Sequence, residues 1–348
     1  MMQVTAALVA LLLLNGCQYL DPPALYYSRA PLPAQSSAAA ETLQDGESTT
    51  FSVLVYNVEG LAWPARSNRG PNLVRIGEAL EYWRNLGNGP DIVLLQEAFS
   101  REAIAIAERS GYANALPGPS TRDRREIAAA DVSADFKKAR RRFKGERLGK
   151  RANSGLYILT DFPVLTAASQ PFSRRACAGF DCLANKGILL ARIQVPGTQA
   201  VIDVYNGHFN SRGATGVNVY RADRAHAFQV YESAIFLNET HRPANPIIYG
   251  GDFNTKHAQN RFDALREGRQ LEIAHRQCII AEPLCKVIIS QDGDEPWLDT
   301  QDLQFYSNSP RWKLEPIRVQ AIFDTPADGA KLSDHDGLMV TYRIIRTG

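Results

Sequence analysis

Five short apolar runs in this chain each lead to side chains able to hold a metal ion or move a proton, and that repetition limits its folds more than any other feature. FSVLVYN ends on Asn57, DIVLLQEAF delivers Gln96 and Glu97, and AVIDVYNGHFN delivers His208 and Asn210 just past its apolar residues. NPIIYGGDFNT carries Asp252 and Asn254, and in KLSDHDGLMVTYRI the residues Ser333, Asp334 and His335 stand immediately before the apolar stretch. Such runs, rich in Val, Ile and Tyr and bounded by Gly, Pro or Asn, read as short buried strands. Taken singly, a strand-end Asn or Asp terminates a strand and a lone His is a hydrogen-bonded structural residue. Five such endings are hard to attribute to chance, and the loops at sheet edges are where sites are assembled.

The run GGDFNT shows the two readings side by side. Asp252 and Asn254 are two apart, so if the strand continues one residue further both side chains point to one side. Gly, Asp and Asn are also the usual turn residues, which makes an Asx-rich turn the alternative.

From Phe51 to about Ile345, β-rich runs alternate with helical stretches, with no internal repeat and no break long enough for a boundary, so residues 51–346 are read as one α/β domain. With 348 residues and 45% hydrophobic content the chain can bury a large core without disulfides. Its net charge of +2 implies no partner by itself. Residues 18–50, with Pro22, Pro23, Pro31 and Pro33 among Ser and Ala, read as a flexible linker. Before them, VTAALVALLLLNGC is an apolar run of signal-peptide length, too short for a comfortable membrane span. Leu14-Asn15-Gly16-Cys17 resembles the lipobox of a bacterial lipoprotein, which implies that residues 1–17 are a signal segment and Cys17 the lipidated residue. The n-region, Met1-Met2-Gln3, lacks the Lys or Arg usual there, and a plain secretory peptide is the alternative. The remaining four cysteines fall in two local pairs, Cys177 with Cys182 and Cys278 with Cys285, as an oxidising compartment allows; neither spacing is the two-residue knuckle that zinc favours. An exported, envelope-located protein tethered to a membrane is expected.

In order, the chain shows YN, QE, GH, GDFN and SDH between Asn57 and His335. This ordered set resembles the endonuclease/exonuclease/phosphatase superfamily, which includes deoxyribonucleases, apurinic endonucleases and neutral sphingomyelinases. The resemblance implies a four-layer sandwich of two mostly antiparallel β-sheets flanked by helices. It also implies a hydrolase that cleaves phosphoesters with Mg²⁺ as cofactor, or Mn²⁺ in its place. A phosphodiester repels nucleophiles, so charge must be neutralised, a water activated in line and the leaving oxygen protonated. By resemblance Glu97 and Asn57 hold the metal with Asp334 in support, Asp252 activates the water and Asn254 positions it. His335 acts on the phosphate, oriented by Asp302 or else Asp299, while His208, assisted by Asn210, binds the phosphate or protonates the leaving group.

The substrate is less constrained. Asn185-Lys186-Gly187 is similar to an element that opens a strand in bacterial sphingomyelinases, and reads equally as a type I′ hairpin turn with an exposed lysine. Phe-Asn-Ser-Arg after His208 departs from the Gln-Ala step of those enzymes, and an aromatic hairpin for entering a bilayer is not evident, Trp297 being one candidate. Residues 122–151 carry twelve Lys or Arg against five Asp or Glu, an excess of seven. Alanine content and the apolar positions Ile127, Val132, Phe136 and Phe143 predict a helical excursion between two strands, either a solvated face or an attractor of nucleic acid or anionic lipid. Nucleic acid and a sphingomyelin-like phospholipid are therefore the competing phosphodiester substrates. Phosphomonoesters of sugars or inositol, and a non-catalytic binding protein on the same scaffold, are the alternatives. No protein partner is inferred.

Overall fold

The computed structural model describes residues 27–28, 43–61, 65–126, 128–267, 270–288, 300–324 and 331–348. Among them the strands are β1 (Tyr27–Ser28), β2 (Ser48–Asn57), β3 (Ile92–Gln96), β4 (Asn114–Pro117), β5 (Tyr157–Thr160), β6 (Val164–Pro171), β7 (Gly187–Gln194), β8 (Val201–His208) and β9 (Ile247–Asp252). The C-terminal part adds β10 (Glu272–Ile273), β11 (Lys286–Ile288), β12 (Asp302–Ser307), β13 (Trp312–Ile322) and β14 (Gly337–Arg346). The helices are α1 (Gly70–Asn85), α2 (Arg101–Arg109), α3 (Ala134–Lys138), α4 (Val219–Thr240), α5 (Gln259–Arg266) and α6 (Ala274–Ile280).

Two sheets form, in the orders β1-β4-β5-β3-β2-β14-β13-β11 and β10-β12-β9-β8-β7-β6. Pairing is antiparallel except at β2/β3, β8/β9 and β11/β13, so the expected mostly antiparallel sandwich is the fold found. Strand alternation explains the layers. Phe51, Val53 and Val55 of β2 face the second sheet and pack with Leu189, Val204 and Ile248. Leu54 and Tyr56, on the other face, pack on Leu73, Ile76 and Leu80 of α1 and on Ala103, Ile104 and Ala107 of α2. Helix α2 starts where Ser100 accepts a hydrogen bond from the Ala103 amide, an N-cap that fixes its entry beside the end of β3. The outer face of the second sheet is covered in the same way, Tyr205 and Tyr249 meeting Val230, Phe236 and Leu237 of α4.

Between the sheets lie buried amides rather than apolar side chains alone. Gln96 Nε2 donates to Asn206 Oδ1 across the interface at 2.8 Å, and Asn206 Nδ2 donates to the Leu95 and Tyr157 carbonyls. Gln304 of the second sheet donates to the Val53 and Leu338 carbonyls of the first, and Tyr342 closes that set. These bonds satisfy polar groups that would otherwise be costly to bury, and they lock the register of one sheet on the other.

Two details differ from the sequence reading. Tyr27–Ser28, inside the segment expected as a linker, pairs with Asn114 and Ala115 as an edge strand. The basic segment lies between β4 and β5 as expected, but its helical content is only α3 and a single 3₁₀ turn, Arg142–Lys144. Contacts to α4 override the helical composition. Glu146 turns inward to pair with Arg221 and accept the Arg141 amide, and Val132 and Phe136 bury against Ala225 and Ala176. Phe143, expected on an apolar face, is 94% exposed, and Ile127 lies outside the described residues.

Candidate active site

The parallel pairs at the sheet centres carry the motifs to one edge. In the first sheet Asn57 pairs in register with Gln96, the residue before Glu97. In the second, Asp252 is flanked in register by His208 on one side and Asp302 on the other. This approach depends on glycine. Gly251 has φ +150°, and a Cβ there would run into the Gly207 carbonyl of β8; one on Gly250 would meet Leu94 and Val55 of the opposite sheet.

Asp252 is the last residue of β9, and the strand does not continue to Asn254 as one sequence reading required. Asn254 takes φ +52°, its amide N–H donates to Asp252 Oδ1 and its side chain donates to the Phe209 carbonyl, so the pair is an Asx turn at a strand end. Glu97 likewise has positive φ, +57°.

Ligand atoms of Glu97, His208 and Asp252 lie within 4.8 Å of one another, and the same holds for Asp252, Asp302 and His335. His208 Nε2 is 3.5 Å from Asp252 Oδ2 and 3.8 Å from Glu97 Oε1. Asn57 donates its Nδ2 to Asp252 Oδ2 at 3.0 Å while its Oδ1 accepts the Glu59 amide. His335 Nδ1 meets Asp302 Oδ2 at 2.6 Å, and Gln301 sets its carboxamide 3.1 Å from His335 Nε2. Asp334 is half exposed, 3.9 Å from His335 Nε2 and paired with Arg66. Asn210 is not brought into the cluster: its Oδ1 accepts the Ala178 amide and its Nδ2 donates to the Ser211 carbonyl. Asp299 lies outside the described residues, as do Trp297 and Cys17.

Lys186 has a place here that the sequence left open. Its side chain is 6% exposed and its amine donates to Asp181 Oδ2 and to the Phe209 carbonyl, both at 2.9 Å. The hairpin-turn reading, which needs an exposed lysine, therefore does not hold; Gly187 opens β7. Arg261 was not anticipated either. It is buried and braces the Asn210 and Asn254 carbonyls while pairing with Asp223.

These placements set the electrostatics. Burial and the nearby Asp302 carboxylate push Asp252 up to about 7, against the pull of His335 and Lys186. Burial also raises Glu97, opposed by Lys186, His335 and the Asn57 amide. Burial drives His208 well below the ordinary histidine value, helped by the Lys186 and His335 charges, so its ring is neutral. Burial works against a charge on His335 too, but the charge and hydrogen bond of Asp302 more than offset it and raise its pKa well above the ordinary value.

Both ring nitrogens of His208 and Asp302 Oδ1 are buried without a hydrogen-bond partner. Hard carboxylate oxygens beside orphaned donors and acceptors are what a divalent cation and a phosphoryl group together would satisfy.

The two cysteine pairs are bonded as expected, Cys177 to Cys182 in the turn before β7 and Cys278 to Cys285 at the end of α6.

Comparison with known proteins agrees with this geometry. A sphingomyelinase of Mycobacterium tuberculosis is 24% identical over 223 residues, which are 63% of this chain and 37% of that protein; the chain spans little more than a third of the length of such curated relatives. Solved structures share the fold at low identity, the following two among them. Staphylococcus aureus beta toxin with bound magnesium ions has a TM-score of 0.58 at 17% identity, covering 84% of this chain and 99% of the toxin. D. rerio TDP2 complexed with a single-strand DNA product has a TM-score of 0.55 at 14% identity, covering 84% and 99%. The Endonuclease/Exonuclease/phosphatase family matches residues 54–335, the stretch that contributes every strand-end motif, and the chain belongs to that family.

Proposed function

We propose that the protein is a divalent-metal-dependent phosphoester hydrolase acting on phosphodiesters. The observation that carries the reading is the convergence of Glu97, His208, Asp252, Asp302 and His335, from both sheets, into two sets of ligand atoms each within 4.8 Å. Glu97 and Asn57 would hold the metal on the first sheet's side, with Asp252 and His208 facing it from the second and Asp334 in support. Mg²⁺, or Mn²⁺ in its place, when bound supplies charge neutralisation at the phosphoryl oxygens. Asp252, its pKa close to neutrality, takes the proton of the attacking water, and the Asn254 turn holds that carboxylate in place. His335, kept cationic by Asp302, bears on the developing phosphoryl charge. Neutral His208, with no other partner for its ring nitrogens, donates to the phosphate or the leaving oxygen. Lys186 adds a fixed positive charge behind them.

A sphingomyelin-like phospholipid is the second substrate reading. It is supported by the relatives named sphingomyelinases and by the buried Lys186 of the Asn185-Lys186-Gly187 element. The two disulfides support export into an oxidising compartment, and Cys17 would carry the lipid anchor at the cell envelope; mass analysis of the mature N-terminus tests that part. For the reaction, bis(p-nitrophenyl) phosphate, sphingomyelin and inositol phosphates are assayed with Mg²⁺, with Mn²⁺ and with chelator. Diester hydrolysis abolished by chelator and restored by either ion is expected. Full turnover in chelator refutes the metal-dependent reading.

A further inference from the structure

The basic segment lines a cavity of about 640 Å³. Lys137, Lys138, Arg140, Arg147 and Lys150 line it from that segment, and Arg174 and Arg175 from the turn before the Cys177–Cys182 disulfide. The one carboxylate on its wall, Glu146, is already committed: Arg221 takes both oxygens at 2.6 and 3.0 Å, and the Gly179 amide donates to one of them. Among the described residues, Lys137, Lys138, Arg147, Lys150, Arg174 and Arg175 form no ion pair. Arg140 spends one nitrogen on the Glu146 carbonyl and keeps its buried Nε without a partner. Lys150 is held by the Ala184 carbonyl at 2.7 Å, and burial lowers its amine to about 7, helped by Arg174, Lys186 and Arg140. Six Lys and Arg side chains and the Lys150 amine crowd one concavity, where like charges repel one another and an anion seated among them relieves that repulsion.

The shape and surroundings narrow the anion. Arg140 lines the cavity and the next residue, Arg141, lines a second concavity, a groove of about 420 Å³, where Lys144 and Tyr220 also stand and Arg224 is paired with Asp135 at 2.7 Å. Exposed rings accompany these cations: Tyr220, 71% exposed, lines the groove, Phe180, 46% exposed, has its ring centre 5.7 Å from the Lys144 amine, and Phe143, next to Lys144 in the chain, is 94% exposed. Cations beside exposed aromatic rings suit backbone phosphates and unstacked bases. A flat bilayer would meet Phe143 but could not enter the cavity to reach Lys150 or Arg140 Nε. The cavity is linked to the catalytic centre through Cys182, which lines it, and the adjacent Asp181, which holds Lys186.

We propose that the cavity and groove bind the backbone of a single-stranded nucleic acid and lead it to the catalytic centre. The delivery rests on the phosphodiesterase reading; the binding does not.

The test uses the full chain in chelator and a fluorescent oligothymidylate of about twenty nucleotides, longer than the site of a single strand-binding groove. Changing exposed Arg147, Arg174 and Arg175 together to Gln should flatten the slope of log affinity against log salt by about 2 and weaken binding about a hundredfold at about 50 mM salt, from about 0.7 per strand phosphate neutralised. A control triple at Arg101, Arg266 and Arg318 removes the same charge elsewhere and should leave the slope unchanged. Phe143→Ala should weaken binding about tenfold through lost stacking. Parent-like binding by the cavity triple, or an equal loss in the control triple, overturns the proposal. So does a cavity triple that loses binding only to tripolyphosphate or to phosphatidylserine-containing vesicles, which would assign the cavity to a compact anion or a membrane. Hydrolysis of bis(p-nitrophenyl) phosphate with Mg²⁺ separates the two claims, because its absence in the parent removes the catalytic reading while leaving strand binding to stand or fall on its own data.

Discussion

Asp302→Asn tests whether a carboxylate holds His335 in its charged form. The two side chains are 9% and 6% exposed and Nδ1 lies 2.6 Å from Oδ2. At an effective dielectric of about 20 that separation gives roughly 6 kcal/mol of gross attraction, most of it offset by desolvation. Removing one partner of such a buried pair costs about 3–5 kcal/mol. If that interaction is intact in the transition state, kcat/KM for a phosphodiester falls by about 10² to 10⁴. The pH behaviour separates a charge effect from lost packing. A histidine whose folded pKa exceeds its unfolded value contributes stability that is present below the unfolded pKa, about 6.5, and is lost as pH rises through the folded pKa. Urea denaturation of the parent across that window, in chelator, should show this decline with pH, and the Asn variant should flatten it. The basic limb of its pH–rate profile should also move to lower pH. An unmoved limb together with an unchanged stability slope refutes the assignment of charge to His335.

Glu97→Gln should lower turnover about 10² to 10³-fold and raise the Mg²⁺ concentration needed for half activity, read by metal titration; an unchanged titration removes Glu97 as a ligand. Asp252→Asn and His335→Ala should each abolish most activity, with the double variant little worse than the worse single, because groups acting on one phosphate are non-additive; multiplicative losses in steady-state kinetics count against it. Lys186→Met strands the Asp181 carboxylate, so denaturation should show a loss of about 3–5 kcal/mol. It also removes a charge that holds Asp252 and Glu97 down, so the acid limb of the rate profile should move to higher pH. Replacing Cys278 and Cys285 by Ser should cost about 2 kcal/mol by the chain-entropy relation for so short a loop, measured by the same denaturation.

The strand-end residues were legible because a buried strand announces itself by composition and five such runs each led to an amide, carboxylate or imidazole, a repetition that strand termination alone does not explain. That logic picked out Asn57, Glu97, His208, Asp252 and His335, and the family resemblance Asp302, residues that the fold brings together. It could not decide Lys186, since Asn-Lys-Gly suits both a turn and a strand start, and only the partners Asp181 and Phe209 from elsewhere in the chain distinguish them. Asn206 and Gln304 gave no signal, because a polar residue inside a strand reads as solvent-facing until a second sheet is placed against it. The basic segment misled for the same reason: its Ala, Lys and Arg favour a helix locally, while Arg221 and Glu232 of α4 draw Glu146, Arg125 and Ala130 into irregular backbone. Of the two readings of Asp252 and Asn254, the Asx turn is the one the chain adopts.

The amide bonds between the sheets carry a consequence for how the chain matures. Asn57 and Glu97 stand on one sheet and His208, Asp252 and Asp302 on the other, so neither sheet alone owns a functioning centre. An intermediate with complete strands but undocked sheets is chemically inert, however much secondary structure it shows. Return of activity during refolding is then a clock for the moment when Gln96 finds Asn206 and Gln304 finds Val53, and it should trail the far-ultraviolet signal of the strands. A chain threaded across a membrane before folding would stay harmless to phosphoesters on the near side and become competent only where docking is completed.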